Sequence, residues 1–214
     1  MRSEQDEPES PYSDSATTVG EPPERRVDVR QVTVRLVAKV RSSQRQELCL
    51  IRNISAGGLT AHVYSAVSIG AAATFEFASG CVVTGSVLWQ RDSLVGIQFD
   101  QRVDVRSILA RGGDAAAPEP RAPRVELDIK ARARLGATYV GVSLINISQG
   151  GAKLRVANTV PEGQKLVLLV DGLPPLAGRV RWVRESDVGV AFYDAVPFDI
   201  LAQWIPMVQQ QIMP

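Results

Sequence analysis

Polar and apolar residues alternate along two stretches of the chain, Val32–Val40 (VTVRLVAKV) and Val125–Leu135 (VELDIKARARL). A period of two puts every second side chain on the same face, the pattern of a strand buried on one side. The runs CLIRNIS, TFEFAS, VTGSVLWQ and LVGIQF follow the first stretch. YVGVSLINIS, AKLRVA, KLVLLV, AGRVRWV and DVGVAF follow the second. Turn-forming residues separate the runs, and about six short strands per set predict an antiparallel barrel. Each set then changes to a helical period, over Asp104–Arg111 and Phe198–Met213. The second helix is expected to place Ile200, Leu201, Trp204 and Met207 on one face and to expose Gln209, Gln210 and Gln211, with Pro206 kinking or shifting it.

The two sets are copies of each other. A shift of 93 residues without a gap lays Gly58 on Gly151, Gly70 on Gly163, Gly85 on Gly178 and Trp89 on Trp182. Ser93 then falls on Ser186, Gly96 on Gly189 and Phe99 on Phe192. That many coincidences at one offset mark a tandem duplication of a domain of roughly 90 residues, each unit large enough for its own core. The expected architecture is all-β, two tandem six-stranded barrels with C-terminal helices. The expected divisions are an acidic tail over 1–24, a first domain over 25–111, a linker over 112–123 and a second domain over 124–214. The tail carries seven carboxylates against Arg2 alone, and such a segment buries too little apolar surface to offset its ordering entropy. The linker, GGDAAAPEPRAP, has the small-residue and proline content of a semi-extended spacer.

Composition narrows the function. The chain has 214 residues, 45% hydrophobic and 22% charged, with a formal charge of +1. Such a balance gives no global field for nucleic acid or an anionic membrane, so any anion site must be local, and no DNA or RNA partner is expected. No apolar run spans a bilayer and no export signal is read at the start, so the expected location is cytoplasmic. Cys49 and Cys81 are expected to be free, buried thiols. His62 is the only histidine, too little nitrogen for a catalytic triad or a zinc site. No P-loop or dinucleotide glycine fingerprint is present. Ser55 and Ser148 have no accompanying base, which disfavours a hydrolase. No catalytic residue, metal or cofactor is expected.

Two features carry recognition chemistry. Asn53–Val63 reads NISAGGLTAHV and Asn146–Val156 reads NISQGGAKLRV, each between β-like runs. The Asn53 amide both donates and accepts, so it can read a purine edge, and the Ser55 hydroxyl can do likewise at short reach. Gly57 and Gly58 permit positive φ and close backbone approach. Ahead of the first strand, ERRVDVR places Arg26 and Arg30 four apart with Arg25 beside them. Arginine binds phosphate with a planar donor fork and stacks on a flat base. Either piece alone is an ordinary turn or charge cluster; their coincidence on one barrel is more specific.

Taken together these residues resemble the PilZ domain family, whose signature is R-x-x-x-R followed by [D/N]-x-S-x-x-G. It is matched by Arg26 and Arg30 with Asn53, Ser55 and Gly58. The runs Val87–Phe99 and Arg179–Phe192 resemble the family's closing strands. The resemblance implies tandem PilZ-type barrels binding the bacterial second messenger cyclic di-GMP, the arginines wrapping phosphates and guanines and the turn holding a guanine edge. The implied ligand set is Arg25, Arg26, Arg30, Asn53, Ser55, Gly57 and Gly58. In the second copy Asn146, Ser148 and Gly151 are intact, but Arg121 and Arg124 give R-x-x-R around Pro123. That spacing should misplace a bidentate clamp, so a weaker second site is expected there. The resulting reading is a non-enzymatic receptor that changes conformation with ligand and signals to a protein partner. The alternative is an interaction module whose barrels bind no nucleotide.

Overall fold

The computed structural model describes residues 32–42, 45–110 and 122–212. The acidic tail, Arg25, Arg26, Arg30, Arg121 and most of the linker lie outside them. The first unit contains β1 (Val32–Ser42), β2 (Arg45–Ser55), β3 (Gly58–His62), β4 (Ala72–Phe77), β5 (Val82–Arg91), β6 (Leu94–Phe99) and α1 (Val105–Leu109). The second contains β7 (Val125–Leu135), β8 (Thr138–Ser148), β9 (Gly151–Val156), β10 (Lys165–Leu169), β11 (Leu176–Arg184), β12 (Asp187–Phe192) and α2 (Phe198–Ile212). Each unit closes into a six-stranded antiparallel barrel, β1-β2-β3-β6-β5-β4 and its equivalent β7-β8-β9-β12-β11-β10. The all-β tandem-barrel expectation therefore holds. The first barrel's sixth strand is β3, the short run that begins at the second of the two glycines.

The duplication extends to the irregularities. The β1–β2 register slips between Thr33 and Leu36, and the β7–β8 register slips between Glu126 and Ile129, the same positions 93 residues on. Matching slips occur at Ile51/Asn53 and Leu144/Asn146, and at Val87/Trp89 and Val180/Trp182. Bulges re-aim side chains and are kept where their geometry is used. Asp92 and Glu185, at the β5–β6 and β11–β12 turns, share a left-handed backbone (φ 51° and 52°).

Phe75, Ile51, Ile54 and Val95 fill the first barrel, and Leu144, Ile147, Leu154 and Leu168 fill the second. Strand β2 is buried on both faces. Cys49 and Ile51 point into their own barrel, whereas Leu48 belongs to the core of the second unit, against which α2 packs. This accounts for the unbroken apolar run Leu48–Ile51, which a half-exposed strand would not need.

Helix α2 departs from expectation. Its buried face is Leu201, Ala202, Trp204 and Ile205, while Ile200 and Met207 are exposed. Gln209 is buried as well, its Nε2 donating to the Gln46 carbonyl of β2 (2.8 Å). The true stripe follows 201, 204, 205, 208 and 209, a single face at the 3.6-residue period, rotated from the expected one towards β2. The helix runs on through Pro206, which removes one N–H and does not end it. Trp204 anchors the helix by donating to the Asp171 carbonyl (2.8 Å). Helix α1 is shorter than expected, ending before Ala110, and Asp104 caps it by accepting from the Arg106 N–H (2.9 Å). Both cysteines are free; Cys49 is buried, but Cys81 is half-exposed just before β5. No described helix is long and apolar enough to cross a membrane.

Candidate functional site

Ala56 and Gly57 link β2 to β3, between the paired residues Ser55 and Gly58. Ser55 Oγ donates to the Gly58 carbonyl (3.1 Å), and the chain leaving β6 clamps the turn from outside. The Val103 N–H donates to the Ala56 carbonyl (2.9 Å) and the Phe99 N–H to that of Gly57 (3.0 Å). Every bond recurs in the second copy: Ser148 to Gly151 (3.2 Å), Val196 to Gln149 (2.8 Å) and Phe192 to Gly150 (3.0 Å). The hexapeptide is thus a rigid corner in both barrels.

Two roles shift as a result. Neither Gly57 nor Gly58 adopts positive φ. Gly58 is required because the Ile97 carbonyl of β6 occupies the space of its Cβ, just as Val190 stands against Gly151. Ser55 is only 7% exposed, and its single donor is engaged within the turn. It therefore sets the shape of the corner rather than donating outward.

Asn53 follows the β2 bulge, half-buried, and its amide makes no hydrogen bond to a described residue. Beside it lies a cleft of about 410 Å3 walled by Asn53, Gly57, Gly58, Trp89 and Gln98. Trp89 is 37% exposed, its indole filling the space a Cβ on Gly96 would take, with the Arg91 guanidinium 5.9 Å from the ring centroid. A second cleft of about 600 Å3 shares Asn53 and Thr60 and carries Arg35, Arg52 and Arg91. Its far wall holds His62, Tyr64 and Asp199. His62 Nδ1 is buried without a partner among the described residues, and its ring meets Tyr64 edge-on at 4.8 Å. The Tyr64 hydroxyl donates to Asp199 Oδ1 at the start of α2 (3.2 Å), so this wall joins the two units. Burial, then the Asp199 bond, pushes the Tyr64 pKa up to about 12.

The second copy is closed where the first is open. Asn146 is 9% exposed, and its Nδ2 donates to Glu126 Oε1 (3.4 Å), leaving Oδ1 buried without a partner among the described residues. Glu126 stands where the first barrel has Thr33, and Lys153 where it has Thr60. Lys153 Nζ lies 2.6 Å from Asp187 Oδ2, and Arg155 Nε lies 3.1 Å from Oδ1. Hydrogen bonds from Lys153 and then Arg155 hold the Asp187 carboxyl below the usual range. This face neutralises itself and sets a carboxylate against the motif asparagine. Under the 93-residue shift Arg26 and Arg30 fall on Glu119 and Pro123. Of the residues expected in a weaker second site, Arg124, Asn146, Ser148 and Gly151 are described, and Arg124 is half-exposed.

Trp89 marks the repeat in the sequence but was not assigned to the site, and Gln98, Arg35, Arg52 and Arg91 carry no motif of their own. A signal existed in the repeat: Arg35 and Arg52 correspond to Asp128 and Ile145, so cations at these two positions belong to the first barrel alone. Among the described residues no cluster of His, Cys, Asp or Glu could hold a metal ion.

The family model described as PilZ domain matches residues 24–111 and again 119–205. No curated protein matches the chain. Among solved structures, the PlzA protein of Borreliella burgdorferi in complex with c-di-GMP is similar at 12% identity and a TM-score of 0.35, covering 82% of this chain and 93% of that one. Escherichia coli YcgR in complex with c-di-GMP is similar at 14% identity and a TM-score of 0.34, with 83% and 85% covered. The MrkH–c-di-GMP complex of K. pneumonia is similar at 12% identity and a TM-score of 0.34, with 83% and 88% covered.

Proposed function

Because the chain belongs to the PilZ domain family, we propose that it is a cytoplasmic, non-enzymatic receptor for cyclic di-GMP, with the ligand held by the first barrel. The observation that carries this reading is the contrast between the two motif asparagines. Asn53 faces an open cleft with Trp89 and three arginines nearby, whereas Asn146 is bonded to Glu126. An indole face stacks a guanine, the Asn53 amide pairs with its edge, and Arg26 and Arg30 close over the phosphates from the segment preceding β1. Arg25 adds a third donor fork. Charge-assisted bonds of about 1.5–3 kcal/mol each make loss of either arginine a roughly 10- to 100-fold loss of affinity.

The response is transmitted through the wall of the second cleft. A bound anion beside Arg35 and Arg52 lies in the cleft whose wall carries the Tyr64–Asp199 link between the two units, so binding changes the charge felt at that link and with it how the second unit is presented to a protein partner. That unit, over 124–214, serves as an interaction module, which its closed ligand face favours. The division into a 1–24 tail, a 25–111 sensing domain and a 112–123 linker belongs to the same proposal.

Calorimetric titration of cyclic di-GMP into the full chain tests the reading. Saturable heat is expected with wild type and Asn146→Ala, and loss with Arg30→Ala and Asn53→Ala. No heat with wild type overturns the receptor assignment.

A further inference from the structure

The opposite end of the first barrel carries a cavity unconnected with the motif turn. About 650 Å3 in volume, it opens where β1 ends and β2 begins, and Phe75, Val87, Val95 and Ile97 form its floor. Glu47 and Ser65 line its wall, with Ala71–Ala73 opposite and Arg45 beside them. Glu47 is only 5% exposed and, from its place on β2, points inward like Cys49. Among the described residues no cation lies within ion-pair distance of it. Burial pushes its carboxyl above the usual range, opposed by the Ser65 hydroxyl and by Arg45.

The duplication supplies an internal control. At the same positions the second barrel has Leu135 for Ser42, Val140 for Glu47 and Leu166 for Ala73. Leu166 is 5% exposed, so it packs into the barrel. Phe75 and Ile97 are larger than their counterparts Leu168 and Val190, so the first barrel is well filled at depth and hollowed only at its mouth. A barrel that could have closed with leucine and valine instead keeps alanines, serines and an inward carboxylate. A buried carboxylate without an ion-pair partner is unfavourable on its own.

We propose that this cavity is a binding site for a small amphiphilic cation, a protonated amine whose short apolar tail lies against Phe75, Val87, Val95 and Ile97 while its ammonium meets Glu47. The cavity is large enough for such a molecule, and its apolar lining with one convergent acid matches the usual make-up of a small-molecule site. The ammonium supplies the direct ion pair that Glu47 does not make with Arg45 or any other described residue, with the Ser65 hydroxyl beside it.

Hexylammonium, 1-hexanol and hexanoate, of equal tail length, are titrated separately into the full chain and followed by methyl NMR. Hexylammonium is expected to bind at least ten-fold more tightly than the alcohol, with no saturation by hexanoate. Glu47→Gln should abolish the preference for the amine over the alcohol. Ala73→Leu, which copies the second barrel, should weaken hexylammonium at least ten-fold while the thermal transition is kept or raised; Ser42→Leu provides the same test if Ala73→Leu does not fold. No saturable binding by any probe, equal binding by all three, or unchanged hexylammonium binding in a folded filling variant overturns the proposal.

Discussion

Two adjacent glycines of the motif, Gly57 and Gly58, are predicted to respond to the same substitution with opposite signs. Gly58 opens β3 opposite Gln98 of β6, and a methyl group there would run into the Ile97 carbonyl. The struck atom is backbone and cannot rotate away, so β3 must move off β6. Overpacking costs about 1–3 kcal/mol, and each strained ladder bond beside it costs about 1 kcal/mol more. Gly58→Ala should therefore lose about 3 kcal/mol, which for a unit of this size lowers Tm by about 15 °C. Around Gly57 nothing lies within 4 Å of an added Cβ, and its φ is not left-handed. Gly57→Ala should stabilise by about 0.4–1 kcal/mol, because alanine restricts the unfolded chain. Urea denaturation of both variants, with Gly151→Ala as the second-barrel twin of Gly58→Ala, reads the difference directly. Wild-type stability in Gly58→Ala would refute the close-approach argument. So would a loss in Gly57→Ala as large as that in Gly58→Ala, since it would mean the turn needs both glycines for conformational reasons.

Trp89→Ala should weaken cyclic di-GMP about ten-fold, the worth of one stacked base, while Trp182→Ala leaves affinity unchanged by calorimetry. Gln209→Ala, which leaves the part-buried Gln46 carbonyl without its donor but also removes the unpartnered Gln209 Oε1, should cost about 1 kcal/mol in urea denaturation, whereas Gln210→Ala on the exposed side should cost nothing measurable. Tyr64 should titrate above the ordinary tyrosine value. Its raised pKa favours the neutral phenol in the fold, so the stabilisation is complete below the ordinary value of 10.0 and is lost as pH rises towards about 12. Phenolate absorbance of wild type against Tyr64→Phe isolates that step. Asp187 has the reverse sign: its lowered pKa gives stability that is present above the ordinary 3.8 and is lost as pH falls through the lower folded value. Asp187→Asn should flatten that acid limb slightly, the ion pairs being partly exposed.

The barrels were legible in the sequence because alternation and turn residues are local signals, and the 93-residue offset turned each weak strand into a matched pair. The motif corner was legible for the same reason, since all its bonds inside the hairpin lie within four residues. What escaped depends on contacts across the chain. Gln209 reads as a surface residue on α2, and only the Gln46 carbonyl 163 residues earlier makes its burial favourable. Ile200 and Met207 read as core by their apolarity, yet the face of α2 is chosen by β2, whose outer side lies in the other unit. The fate of the second motif is the clearest case. NISQGG is as intact as NISAGG, and nothing within it shows that its asparagine is bonded. That is shown by Glu126, twenty residues earlier, and by Lys153 on the following strand, both adjacent only once β7, β8 and β9 are paired. A signature of this kind therefore identifies a corner that could hold a nucleotide. The residues facing its asparagine across the strands, Thr33 and Thr60 in one copy and Glu126 and Lys153 in the other, separate the open face from the closed one. Exchanging those two pairs, as Glu126→Thr with Lys153→Thr, should open the Asn146 face without restoring the arginine clamp. Cyclic di-GMP binding in an Asn53→Ala background should then stay weak, and full recovery would show that the arginine spacing carries less of the affinity than the open face does.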